Sequence, residues 1–131
     1  MPLLAFYLSF VSTITLIARI PTVKAQYELV VFWTYNAIQN GRTDLKQEIF
    51  WNVVLFIPIG ILVSLLFSKR KAFIALVLSM FMSCSIEIIQ LVLHRGLFEF
   101  DDIIHNSLGA FIGILVCLLV RLIAGKVLPE K

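Results

Sequence analysis

An all-α polytopic membrane protein is expected, a four-helix transmembrane bundle with an interfacial or re-entrant segment between the first two helices. Two observations predict this. The chain has 131 residues, of which 60% are hydrophobic and only 15% charged. Its mean hydropathy is +0.99. Soluble domains carry about 45–50% apolar and about 25% charged residues, and a small one leaves too much surface in water to hide such an excess. The apolar residues also fall into long runs. A membrane helix needs about 20 of them to cross about 30 Å of hydrocarbon, and lipid offers no partner for an open backbone. Soluble enzymes, disordered tails, disulfide scaffolds and coiled coils are excluded. A single domain over 1–131 is expected, without internal repeats or linkers. The net charge of +3 is too small to suggest nucleic acid.

Helices are predicted at about 2–18, 49–67, 72–93 and 103–124. The first carries no charge; without a basic start it reads as a retained helix rather than a cleaved leader. Tyr27 to Ile38 is apolar but short, and Tyr27, Trp33 and Tyr35 suit the headgroup zone, so it is expected at the interface. The second helix is uncharged and contains Pro58 and Gly60, which read as a kink or a close contact. The third is broken by one charge, Glu87, and the fourth carries His105 and Asn106 near its start. Cys84 and Cys117 lie inside these runs and read as small core residues.

Orientation follows from loop charge. Lys69, Arg70, Lys71, Arg121, Lys126 and Lys131 face one acid, Glu130, on one side. The other side mixes Arg19, Lys24, Arg42, Lys46 and Arg95 with Glu28, Asp44, Glu48, Glu99, Asp101 and Asp102. The positive-inside rule then predicts a plasma-membrane protein with both termini cytoplasmic.

The polar residues gather on the opposite, outer side. At about 1.5 Å per residue, Asn52 and Asn106 lie roughly 5 Å into their helices and Glu87 roughly 9 Å. Ser83, Glu87, Gln90 and His94 form one helical stripe; Asp102, Asn106, Gly109 and Gly113 form another. The two stripes are expected to face each other. Gly109 and Gly113 form a small-xxx-small pattern that lets a neighbouring backbone approach. An ionisable group in a membrane helix costs about 2.5–3.5 kcal/mol on insertion scales, which singles out Glu87. It either locks helices by pairing with Arg95 or with Gln90 and Asn52, or lines an outward-facing pocket. Asp101 and Asp102 are expected to cap the fourth helix, and Arg95 to bridge acids or hold a phosphate or carboxylate. The candidate pocket is therefore Asn52, Glu87, Gln90, Arg95, Asp101, Asp102 and Asn106. His94 and His105 match no metal-ligand spacing, so neither metal nor cofactor is expected. A proton path would need polar groups through the full depth, and here they stop in the outer third.

Three stretches carry a resemblance. Asn52-Val53-Val54-Leu55-Phe56-Ile57-Pro58-Ile59-Gly60 resembles the N-x-x-x-F-x-P-x-G signature of the VanZ-like family of small bacterial membrane proteins. Ser85-Ile86-Glu87-Ile88-Ile89-Gln90 resembles its S-x-E-x-x-Q stretch. Arg95 followed by Asp101-Asp102-Ile103-Ile104-His105-Asn106-Ser107-Leu108-Gly109 resembles its R…D-D-x-x-x-N-[ST]-x-G block, although the family is usually apolar at His105. The resemblance implies the bacterial inner membrane and resistance to teicoplanin-type glycopeptides. The expected activity is binding or shielding of a lipid-linked cell-wall component or a lipoglycopeptide through the outward pocket, with the bilayer as the other partner. The alternative is an intramembrane enzyme on a lipid-linked substrate, with Glu87 as general base and Arg95 and Asp102 as positioning groups.

Overall fold

Three helices are long and apolar enough to cross a membrane: α3 (Leu45–Leu65), α4 (Ala72–Val92) and α5 (Phe100–Val127). They come from a computed structural model that describes residues 2–17, 21–68 and 71–127. A shorter apolar helix, α1 (Pro2–Ser12), runs into a π-helical turn at Thr13–Ile17. The pair spans roughly 24 Å at about 1.5 Å per residue, less than the hydrocarbon thickness. The expected helix end at 18, and Arg19, Lys69, Arg70, Glu130 and Lys131, lie outside the described residues, as does the Lys126 side chain.

The interfacial segment is not one element. It contains β1 (Gln26–Glu28) and a seven-residue helix, α2 (Trp33–Gln39). β1 pairs in parallel with β2 (Leu97–Glu99), Tyr27 opposite Phe98, and Pro21 bridges to Arg95. Three-residue strands carry no periodicity, so nothing local announced them. α3 and α5 also begin earlier than predicted, at Leu45 and Phe100. Hydropathy marks only the lipid-depth part of a helix, and here the first turns are polar: Lys46, Gln47 and Glu48 in α3, Asp101 and Asp102 in α5.

α5 packs most extensively against α3. The seam is made of backbone. A side-chain carbon on Gly60 would run into the Ala110 carbonyl oxygen, one on Gly109 into Val53, and one on Gly113 into Ile57. Residues 53 and 57 thus meet 109 and 113 in the same order, so α3 and α5 run parallel. α4 returns between their ends in the opposite sense. Phe56, Ile59, Val63, Ala75, Ile86, Ala110 and Ile114 fill the core with Val11 of α1. Tyr7 Oη donates to the Leu55 carbonyl at 3.0 Å, pinning α1 to α3. Pro58 cannot donate to Val54, so this crossing lies where the α3 ladder is already interrupted. The outer faces are apolar and open, with Phe73, Phe81, Val92, Leu119 and Val120 all more than half exposed.

At the end away from the polar cluster, Arg121 takes a specific post. Its Nη1 donates to Phe67 O at 2.8 Å and its Nη2 to Ser64 O at 3.1 Å. Both carbonyls lie at or just past the C-terminal end of α3, where backbone oxygens run out of i+4 donors. A cation there also opposes the negative end of the helix dipole.

Candidate functional site

The polar residues of α3, α4 and α5 do converge at one end of the bundle, and they are buried there. Glu87 is 2% exposed, Gln90 1%, Asp101 0%, Asp102 3%, Asn106 4% and Asn52 9%. Buried polar groups at this depth must find partners within the protein, and most of the bonds are internal.

Asp101 makes the longest reach. Its Oδ1 accepts from Phe32 N at 2.6 Å and its Oδ2 from Thr34 N at 3.0 Å. The expected cap of α5 is therefore a cap on another helix. α2 starts at Trp33 with no side-chain cap of its own, and Phe32 before it is left-handed at φ 65°. Asp101 satisfies two of the free N–H groups at that start from across the fold. Asn52 Nδ2 donates to Asp102 Oδ1 at 2.7 Å, tying α3 to α5. Asn106 Nδ2 donates to Ser83 Oγ at 2.9 Å, tying α5 to α4. The two predicted stripes meet at this bond. Asp102, Gly109 and Gly113 turn to α3 instead, and His94 lies past the end of α4, exposed and left-handed at φ 53°.

Glu87 Oε2 accepts from Glu99 N at 3.3 Å, which holds β2 against α4. Gln90 Nε2 donates to Thr15 O at 3.0 Å, and Arg95 Nη1 to Leu16 O at 3.3 Å. Both carbonyls belong to the π-helical end of α1. Glu99 Oε2 accepts from Trp33 Nε1 at 3.0 Å, and Tyr35 Oη lies 3.0 Å from His105 Nε2. The expected pocket is thus a sealed polar knot that clamps α1, α2 and β2 onto the end of the bundle. Gln90 Oε1, His105 Nδ1 and Asn106 Oδ1 lack a partner among the described residues. No group of three His, Cys, Asp or Glu side chains among the described residues could hold a metal ion, and both cysteines are free, Cys117 buried and Cys84 half-buried.

The open space lies beside the knot. A groove of about 780 Å³ runs between α1 and the start of α3. Phe10, Ile14, Trp51 and Leu55 make its apolar wall; Thr15, Asp44, Gln47, Glu48 and Asn52 make its polar one. Of the seven predicted pocket residues, Asn52 alone lines it. The other lining residues are not among the predicted site residues, although a signal for them exists in the sequence. Asp44, Gln47, Glu48, Trp51, Asn52 and Leu55 follow helical spacing, and Phe10 and Ile14 stand one turn apart. At the rim, Arg42 and Asp44 form a bidentate ion pair, closest contact 2.9 Å, with both side chains more than half exposed. The hydrogen bonds that Arg42 donates to Asp44 raise the Arg42 pKa and lower that of the Asp44 carboxyl.

The three signature stretches fall within residues 52–113, and comparison with known proteins gives the chain a lineage. The family described as VanZ/LLP1 matches residues 3–121. The chain belongs to the VanZ/LLP1 family. Protein VanZ of Enterococcus faecium is 29% identical over 96 residues, covering 70% of this chain and 60% of the relative. The chain therefore matches rather less than two thirds of that relative's length. No solved structure matches. In this VanZ/LLP1 member the signature residues have visible duties: Asn52 and Asp102 bond each other, Gly60 and Gly109 admit the facing backbones, and Glu87 holds β2.

Proposed function

We propose that this chain is an envelope protein of the bacterial inner membrane that binds or shields an amphiphile, a lipid-linked cell-wall component or a lipoglycopeptide. In this reading α1 joins α3, α4 and α5 as a fourth transmembrane helix. The termini are cytoplasmic and the polar end faces outward. One observation carries the proposal: the groove between α1 and α3 is apolar along one wall and polar along the other, at the end where the polar side chains gather. An acyl chain suits Phe10, Ile14, Trp51 and Leu55, while a polar head suits Gln47, Glu48 and Asn52. The sealed knot keeps that groove in shape by fixing the end of α1 through Gln90 and Arg95. The VanZ-like resemblance supports teicoplanin-type protection as the phenotype.

The enzyme reading draws less support. Glu87 and Asp101 accept backbone N–H groups and lie buried, which is the work of a brace rather than of a general base open to substrate.

The test is growth inhibition by teicoplanin and by vancomycin in a sensitive Gram-positive host expressing the chain. Wild type, Trp51→Ala and Glu87→Gln are compared at matched membrane levels. Selective protection against the acylated antibiotic, lost in Trp51→Ala, is expected. Equal sensitivity with and without well-expressed protein overturns the antibiotic part of the proposal.

A further inference from the structure

A second, inner pocket of about 280 Å³ continues the groove between α1 and α3, lined by Leu3, Phe6, Tyr7, Pro58, Ile61 and Leu62. Among the described residues, Tyr7 is the one lining side chain with a polar atom, and its hydroxyl is turned to Leu55 O at 3.0 Å. Both spaces lie between the same two helix faces. On α3, Glu48, Trp51 and Leu55 of the outer groove and Pro58 and Leu62 of the inner pocket succeed one another three or four residues apart. On α1, Leu3 and Tyr7 of the pocket and Phe10 and Ile14 of the groove do the same in the opposite direction. Tyr7 and Leu55 stand at the waist between the two spaces. The Tyr7 and Phe10 rings, with centroids 5.9 Å apart, carry the α1 wall across it.

Resting on the amphiphile reading above, we propose that the groove takes one hydrocarbon chain longer than a leaflet, which crosses the waist and ends in the inner pocket. At about 1.5 Å per residue, Leu55 lies about 12 Å along α3 from Gln47, at the polar end of the groove, and Leu62 about 22 Å. A hydrocarbon core of about 30 Å gives each leaflet about 15 Å. An acyl chain that fills one leaflet therefore stops close to the waist. A chain that reaches Leu62 has crossed the midplane. Lipid and pocket are equally apolar, so the pocket contributes packing rather than transfer energy. Selection comes from length. A long chain in lipid alone must fold back or thread among the tails of the opposite leaflet, whereas the two helix faces give it a straight bed. The ligand class is a long single-chain lipid anchor, not an ordinary leaflet lipid.

Photo-labelling with alkylphosphocholines tests this. The full-length protein in phosphatidylcholine nanodiscs is irradiated with two probes whose extended chains measure about 12 Å and about 22 Å, the spans to Leu55 and to Leu62, each with a diazirine at the chain end. A third probe, also long, carries the diazirine beside its head. Labelled residues are read by mass spectrometry with and without an excess of unlabelled long probe, because a site saturates and bulk lipid does not. The short chain end is expected on Phe10, Trp51 and Leu55, the long chain end on Phe6, Ile61 and Leu62, and the head-side diazirine back in the outer groove. Leu3→Trp and Leu62→Trp fill the inner pocket; Leu3 is 64% exposed, so the first leaves the core alone. Both should drive the long chain end out of the pocket and leave the short-chain pattern unchanged. Saturable labelling of the outer groove by both chain ends overturns the inner seat and leaves the amphiphile reading standing. With the outer groove still saturable, so does inner labelling that does not saturate, that survives both substitutions or that comes from the head-side diazirine. No saturable labelling of either space by any probe overturns both.

Discussion

Adding one methyl group to Gly109 is the sharpest test of the α3–α5 seam. The new Cβ would overlap the Val53 carbonyl oxygen and lie 2.9 Å from its carbon and 3.0 Å from Phe56 Cβ. Ordinary contact between such atoms is about 3.5–4.0 Å. None of the three is the tip of a flexible chain, so the side chains cannot absorb the overlap. The helices must separate by roughly 1 Å, and a gap of that size forfeits a quarter to a half of each contact along the seam. Overpacking a filled interior costs about 1–3 kcal/mol; loss of the seam contacts puts Gly109→Ala at the upper end, about 3 kcal/mol. Gly113→Ala meets Ile57 O and, at 2.9 Å, Ile61 N, so it should cost a similar amount. The double variant should cost clearly less than the sum, because helices already parted have room for the second methyl. Leu108→Ala, on a side chain 49% exposed, is the control and should stay within about 0.5 kcal/mol. Denaturation by SDS in a mild detergent, followed by circular dichroism, reads all four. A Gly109→Ala protein within about 0.5 kcal/mol of wild type would refute the backbone-tight seam.

Other outcomes follow from the polar knot. Asp101→Ala removes the acceptor of Phe32 N and Thr34 N, and should loosen α2 by about 2–3 kcal/mol, seen as faster hydrogen exchange confined to residues 32–40. Asn52→Leu withdraws the donor at Asp102 Oδ1; it should destabilise by about 1.5–3 kcal/mol, and a double-mutant cycle with Asp102→Leu should show coupling above about 1 kcal/mol. Arg42→Ala should let the Asp44 carboxyl pKa rise toward its ordinary value, measured by carboxyl-carbon NMR. The sign is fixed by the depressed value. The pair's contribution is present above the ordinary carboxylate range and is lost as pH falls through the lowered folded-state pKa. Since both groups are exposed, high salt should erase it.

Some of the site could be read before any tertiary information. Glu87, Asp101 and Asp102 stood out because charge is costly at membrane depth, and Asn52 and Asn106 fell at the same level by helical rise. What a carboxylate does there was less legible. Asp101 in a first turn reads as a cap on its own helix, and the alternative duty lies 67 residues away in sequence. The stripe on α4 ends early because the chain turns left-handed at His94. The groove escaped notice because its residues are ordinary: a Trp and a Leu on a membrane helix normally face lipid, and only the approach of α1 makes them a wall.

The long apolar runs by themselves determined that the chain is helical and suited to a bilayer, since no other use of such segments satisfies both the side chains and the backbone. Spacing determined which faces would be polar and that Gly109 and Gly113 would admit a close neighbour. Tertiary structure decided which neighbour, because a small residue permits approach without choosing a partner. It also decided that the polar residues would close upon one another rather than stay open. A buried carboxylate is stabilised by whichever donors the fold brings within hydrogen-bonding distance, and here those include backbone groups of α2 and β2 and the amide of Asn52.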